Sequence, residues 1–397
     1  MRRACLGFAL VAVVSVPRAA QSQGDPLGPE FRVNTHTTSD QINSWVAADS
    51  AGNFVVVWGS GYQDGSGWGV FGQRYANSGA PLGPEFRVNT YTTGHQRLPL
   101  AASDAFGNFV VIWQSYQDGS SYGVFGQRYA SSGIPLGPEF RVNTYTTGGQ
   151  GFDIFGQRFA SFGDSLGPEF RVNTFTFSHQ GGSLDGGGVA IASDSSGNFV
   201  VVWQSYTQDG ESLGIFGQRF ASSGGPLGPE FRVNTYTTGP QTYPSVASDA
   251  SGNFVVAWNM DDVSSYGIYG QRYDSSGTPL GLEFRVNTYM TSTQLDPAVT
   301  SGSSGDFVVI WSSYAQDGSN SGIFGQRYAG SGTPLGSEFL VNTYTPSGQF
   351  WPSVATDIAG NFVVVWQSNS QDGSSFGVFG QRFNMIVPVE LMRFGLE

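Results

Sequence analysis

The sequence predicts an all-β protein, and within that class a β-propeller of four-stranded blades. Three observations predict it. A unit of roughly 54 residues recurs from end to end. Each unit holds one strand apolar on both faces. The chain also opens with a strand that its last unit lacks.

Gly-Gln-Arg occurs seven times, with its arginine at Arg74, Arg128, Arg158, Arg219, Arg272, Arg327 and Arg382, at spacings of 54, 30, 61, 53, 55 and 55 residues. Glu-Phe-Arg-Val-Asn-Thr begins at Glu30, Glu85, Glu139, Glu169, Glu230 and Glu283, and a variant with Leu340 in place of arginine begins at Glu338. A third signature, Gly-Asn-Phe-Val-Val-x-Trp, ends at Trp58, Trp113, Trp203, Trp258 and Trp366, with a sixth copy (Asp306 for Asn) ending at Trp311. Repeats of this length form one body in which each unit buries its faces on its neighbours.

The unit over residues 244–287 shows the elements in order. Residues 244–249 read as a short strand a, closed by a turn through Gly252. Residues 253–258 read as strand b, with Phe254, Val256 and Trp258 on one face and Val255 and Ala257 on the other, so both faces are buried. A polar loop follows over 259–266, then strand c over 267–273 and a Gly/Pro/Ser turn over 274–281. Strand d, 283–287, alternates apolar and polar and reads as the outer strand with one wet face. A Thr-rich connector ending in Gln leads to the next unit.

The chain starts on a d strand (Glu30 to Asn34) and its last unit stops at strand c (Gly377 to Phe383). The first strand is therefore expected to complete the last blade and close the ring, which removes a sheet edge. The third copy is short: between Gln150 and Phe155 the chain passes straight from a d–a connector into strand c. In an up-and-down meander the d–a and b–c connections share one face, so dropping the a–b hairpin preserves every later strand direction. Six full blades are expected, plus a c–d hairpin between Ile154 and Asn173 that forms either a thin seventh blade or an outlying flap. The alternative architecture is an open β repeat array, a stacked solenoid or a row of small sandwiches.

Residues 1–22 read as a secretory signal peptide: Arg2 and Arg3, an apolar run from Ala4 to Val16, then Ala20-Gln21-Ser22 as cleavage site. Its removal would take three of the 18 Lys+Arg and none of the 30 Asp+Glu, moving the net charge from −12 to −15. The only cysteine, Cys5, would leave with it, so no disulfide or thiolate chemistry is expected. Residues 23–384 form the repeat domain, and 385–397 a tail that suggests a sorting or anchoring remnant. The chain holds no lysine, and 13 of its 18 arginines lie in the two arginine-bearing signatures. With that charge and no cation cluster, nucleic acid is excluded as a partner.

A residue present in every unit serves the unit, because a catalytic site is one place. The recurring Arg of strand c is expected to pair with the Glu of strand d in its own blade, and the recurring Trp to pack between blades. The Asp-Gly loops (Asp64, Asp118, Asp317 and Asp372 in Asp-Gly-Ser, Asp209 in Asp-Gly-Glu) are the only calcium candidates, but Asp-Gly is first a turn signal and the loops lack an EF-hand series. The Ser-Asp-x-x-Gly-Asn-Phe turn resembles the Asp-box of sialidases with one residue too many between Asp and Gly. His36, His95 and His179 share no metal-ligand spacing, and neither a nucleophile elbow nor a phosphate loop occurs. No cofactor is expected beyond calcium.

What differs between units is confined to the d–a and b–c connections. The expected binding residues are Trp68, Arg97, Tyr122, Asp185, Asp261, Asp262, Tyr266, Trp351 and Phe376. A uniform scaffold with varied loops on one rim is how repeat proteins present a binding surface.

The succession Glu-Phe-x-Val-Asn-Thr, Phe-Val-Val-x-Trp, Gln-Asp-Gly-Ser and Gly-Gln-Arg-(Tyr/Phe), over residues 26–384, resembles tandem repeats of large secreted or surface proteins of bacteria, where they sit beside adhesin-like or calcium-binding modules. The resemblance implies export and repeat architecture and assigns no chemistry. The expectation is an exported, non-enzymatic, monomeric module, extracellular, at the cell surface or periplasmic. It would bind a glycan, protein or surface component and have no membrane span once mature. The alternatives are an extracellular carbohydrate-active enzyme using Asp185, Asp261 and Asp262 as acid and base, and a structural spacer.

Overall fold

A computed structural model describes residues 25–117, 122–144, 153–181, 187–261 and 265–384. The expected signal peptide, residues 1–22, and the expected tail, residues 385–397, lie outside these residues.

The chain folds as a β-propeller. Six antiparallel sheets have four strands each, laid side by side in chain order from inner strand a to outer strand d. We number them blades 1 to 6 by their strands a: Gln41–Ala48, Gln96–Ser103, Val189–Ser193, Gln241–Ser248, Gln294–Ser301 and Gln349–Thr356. Blade 6 takes its fourth strand from the N-terminus, Phe31–Arg32 pairing antiparallel with Phe379 and Gly380. The ring is thus closed as expected, by the strand that opens the chain.

Strand b is buried on both faces because each face meets a different blade. Val55 and Val57 of blade 1 pack with Phe109, Val111 and Trp113 of blade 2, while Phe54, Val56 and Trp58 pack with Val363 and Val365 of blade 6. All six recurring tryptophans are at most 1 % exposed. Each Val or Ile removed from water in this way contributes roughly 1.5–3 kcal/mol.

The loop expected over 259–266 is shorter than the sequence suggested. Strand b of blade 4 runs Phe254–Asp261 and strand c Tyr266–Tyr273, so the hairpin stays paired nearly to its tip. Strand d is shorter too, Phe284–Arg285 in the same blade. There the ladder continues through a side chain: Asn287 Oδ1 accepts the backbone N–H of Ile268 at 2.8 Å. All seven copies repeat this bond, from Asn34 on Val378 to Asn342 on Ile323, at 2.7–2.8 Å. The recurring asparagine is thereby explained as a backbone mimic that ends the sheet.

The recurring charges tie blade to blade, besides bonding to carbonyls and glutamines of their own blade (Arg74 to Leu82, Gln63 to Glu85). Arg74 donates to the carbonyl of Ser131 in the next c–d turn, and Arg128, Arg158, Arg219, Arg272 and Arg382 repeat the bond on Ser161, Ser222, Ser276, Ser331 and Ser78. This corrects the expected pairing of that arginine with a glutamate of its own blade. The glutamate instead accepts from the Thr that follows the preceding d strand, backbone N–H and hydroxyl together, as Glu85 does from Thr35. Seven such links circle the molecule, with N–H distances of 2.6–2.9 Å.

The third copy is a thin seventh blade, not a flap. Phe155–Gly156 pairs with Phe170–Arg171, and the hairpin joins both neighbours through the same links, Thr144 to Glu169 and Thr174 to Glu230. Its Ile154 and Val172 share a core cluster with Trp203 and Phe216 of blade 3. The outer half of a blade position is therefore filled, and among the described residues no a–b hairpin occupies the inner half.

Candidate functional site

Strand a begins at the recurring Gln, and two residues later its register against strand b shifts by a β-bulge. The shift falls between residues 42 and 45, 97 and 100, 242 and 245, 295 and 298, and 350 and 353. The bulge residues Asn43, Leu98, Tyr243, Asp296 and Trp351 all have left-handed backbone, φ between 51° and 57°, and blade 3 has Gly188 in the equivalent place. Leucine, tyrosine and tryptophan rarely adopt this conformation, which costs of order 1–3 kcal/mol and persists only where its surroundings enforce it. The enforcement is visible: the N–H of Asn43 donates to Gln367 Oε1 at 3.2 Å and that of Tyr243 to Gln204 Oε1 at 3.0 Å, each glutamine belonging to the preceding blade.

These five residues line one central cavity of about 360 Å³. They sit at the start of strand a, hence toward the face that carries the d–a and b–c connections. Trp45, Pro99, Pro244, Pro297 and Pro352 add apolar wall, and Trp45 is fixed by its indole N–H on the Ala101 carbonyl at 3.0 Å. Asp296 is the one carboxylate among the described lining residues.

The cavity extends sideways into the place of the missing a–b hairpin. Blade 2 presents Leu100, Ile112 and Val124 there, and blade 3 presents Val189. At complete junctions the counterparts of Ile112 and Val124 are 0 % exposed (Val57 and Val70 in blade 1), whereas these two are half-buried. Ile191 is 65 % exposed where Val46, Val246 and Val299 are 3–7 % exposed. Phe155 of the thin blade is 48 % exposed where Phe71, Phe125 and Phe216 are 6 % exposed.

The residues singled out from sequence fall into three groups. Trp351 lines the central cavity. Arg97 and Tyr122 come together near it, the guanidinium 4.2 Å above the ring, and Tyr116 lies against the other partner with ring centroids 3.8 Å apart. Burial, a hydrogen bond with Tyr116 and its proximity push the Tyr122 phenol up to about 12, against the opposing charge of Arg97. Trp68, Asp261, Tyr266 and Phe376 lie at the strand b–c ends of three other blades, with Phe376 edge-on to Phe350 at 6.3 Å. They do not share a site with Trp351. Asp185 and Asp262 lie outside the described residues, as does Asp118.

The described Asp-Gly aspartates serve their own turns. One oxygen of Asp64, Asp317 and Asp372 accepts the N–H two residues on at 3.0–3.2 Å. The other oxygen of Asp64 and Asp372 faces the strand-ending asparagine (Asn89, Asn34) at 3.4 and 3.3 Å, and Asp209 follows the same turn pattern with Glu211. Among the described residues no three His, Cys, Asp or Glu side chains group to hold a metal ion.

Sequence reasoning missed the bulge ring apart from Trp351. A signal existed: Gln-x-x-Pro recurs in four blades, ahead of Pro99, Pro244, Pro297 and Pro352. Proline removes a ladder donor, so within a sheet it marks an edge or a bulge.

Neither a protein-family model nor a curated protein matches the chain. Among solved structures it is similar to a protein of unknown function from Dyadobacter fermentans, with TM-score 0.56 and 9% identity over 90% of this chain and 98% of that one. It is also similar to the Hadza microbial sialidase Hz136, with TM-score 0.50 and 9% identity over 91% of this chain and 68% of that one. The likeness is one of fold. At such identities it carries no site from one chain to the other.

Proposed function

We propose that the chain is an exported, non-enzymatic binding protein that takes a saccharide at the centre of the face bearing the d–a and b–c connections. The observation that carries this reading is the bulge ring. Five blades hold a strained backbone in the same place and set a different side chain on it each time: Asn43, Leu98, Tyr243, Asp296 and Trp351. Uniform strain with varied side chains around one cavity is the arrangement of a recognition site, not of a packing device. Aromatic faces at Trp351, Tyr243 and Trp45 suit the apolar faces of sugar rings, and Asn43 and Asp296 suit their hydroxyls.

Hydrolysis on the common two-carboxylate plan needs a pair of carboxyl groups roughly 5–9 Å apart, and the described lining supplies Asp296 alone. Export rests on the leader-like residues 1–22 and on the repeats that resemble those of secreted proteins. No helix among the described residues is long and apolar enough to cross a membrane.

A glycan-array screen of the chain, followed by calorimetry on the best ligand, tests the reading. Trp351→Ala and Tyr243→Ala are each expected to weaken binding by roughly 30-fold, the effect of removing an aromatic anchor worth about 2 kcal/mol. Binding that survives both changes, or turnover of the bound saccharide, would contradict it.

A further inference from the structure

The lateral bay beside the thin blade goes beyond a saccharide site. Its walls are those between which strand b lies at a complete junction. Leu100, Ile112 and Val124 look out from blade 2, and Ile191 and Val189 from blade 3, with Leu100 43 %, Val189 41 % and Ile191 65 % exposed. Its floor is the thin blade's own strand. In a complete blade the backbone of Phe71, Gln73 and Tyr75 faces strand b, while Val70 and Arg74 face the d-strand side through bonds from Val88 and Leu82. By the same register Phe155, Gln157 and Phe159 turn their backbone groups toward the bay, and among the described residues Phe155–Gly156 pairs only with Phe170–Arg171. A strand edge that no described residue pairs, between two apolar walls that no described residue covers, is a template for an added strand.

The molecule itself shows what fits. Six times over, the equivalent space holds a strand of the form Phe-Val-Val-x-Trp, apolar on both faces, hydrogen-bonded to the strand c edge and led in by strand a. A small apolar ligand would cover the walls and leave the edge unpaired. An extended polypeptide satisfies both. We infer that the bay is an acceptor for a β-strand or a–b hairpin donated by a partner protein, with a donor segment of at least five residues carrying apolar side chains on both faces.

The probe is a fluorescein-labelled peptide copying residues 241–261 of this chain, a complete a–b hairpin, titrated against the full chain by fluorescence anisotropy. Saturable binding is expected. Ile191→Asp should weaken it by about tenfold or more, because a carboxylate is then set against an apolar wall. Ile358→Asp, which alters an exposed apolar residue at an a–b turn, should leave it unchanged. A second protein, with that same stretch spliced in between residues 150 and 154, keeps the test independent of any folding defect in the point variant. It should melt higher than the parent and bind no peptide. Absence of peptide binding to the parent, or equal binding to the parent, the spliced protein and Ile191→Asp, would overturn the inference. A parent dimer in light scattering that Ile191→Asp splits would overturn it too, by giving the bay to a second copy. Saccharide binding is read by the Trp351 and Tyr243 variants, so either proposal can fail alone.

Discussion

A complete blade junction and the thin third position are built from the same sequence pattern, yet bury it differently. Between blades 4 and 5, Val255, Ala257 and Ile268 meet Val309, Trp311 and Phe324, all of them buried. At the thin position the hairpin covers the outer part of blade 3 through Ile154 and Val172, while Ile191 and Val189 stay exposed farther in. The ring links, Thr to Glu and Arg to Ser carbonyl, run on through the hairpin unchanged. Closure of the disc therefore depends on its outer and turn contacts, and the inner a–b hairpin can be lost without opening it.

The sharpest way to break that comparison is to open the ring where it is closed. Deleting residues 1–34 removes the fourth strand of blade 6, with Val33 and Asn34 both nearly fully buried. It also removes the glutamate that holds Thr343. A loss of about 5 kcal/mol or more is expected, seen as loss of cooperative melting, because several buried groups go at once. A smaller effect comes from a matched pair. Ile310→Ala, at a complete junction and fully buried, should cost about 2–4 kcal/mol in urea unfolding, whereas Ile112→Ala, its half-buried counterpart beside the bay, should cost about 1 kcal/mol. Equal costs would mean that the bay is as well packed as a complete junction.

The smallest effect is a pH dependence. Tyr75, Tyr129, Tyr273 and Tyr328 donate their hydroxyls to the carbonyls of Val33, Val88, Val233 and Val286 in the preceding blades at 3.1–3.3 Å. Burial, aided by a nearby glutamate charge, raises each phenol well above its ordinary value of 10.0. A folded-state pKa above the unfolded one means that the contribution is whole below about pH 10 and declines as pH rises from there. Stability should fall above about pH 10. Changing all four to Phe, the residue already present at Phe159, Phe220 and Phe383, should move the alkaline midpoint upward at a cost near neutrality of no more than about 1 kcal/mol per site.

Much of the disc was legible because its signals are local and periodic. Strand b betrays itself by apolar residues on both faces, and closure follows from an unpaired d strand at one end and a missing one at the other. The loss of one a–b hairpin follows from the 30-residue spacing between Arg128 and Arg158. The choice between a thin blade and a flap does not, because it rests on links to distant Thr144 and Glu230. The partner of Arg74 was not legible: Ser131 lies one unit away, and nothing in the sequence separates a glutamate of its own blade from a carbonyl of the next. Of the residues that line the central cavity, only Trp351 was legible. Side-chain variety was sought in the loops, whereas the structure collects it one step inside strand a, where a bulge turns Asn43, Leu98, Tyr243 and Asp296 toward the axis.

The central claim is that the thin blade carries a strand whose inner edge has no partner among the described residues, inside a closed ring. Native-state hydrogen exchange of single amides tests it most directly. The N–H groups of Phe155 and Gln157 should exchange at least about 100-fold faster than those of Phe71 and Gln73, which the b strand of blade 1 covers. Equal protection at the two places would show that the inner edge is already paired, and the account of the bay would fall.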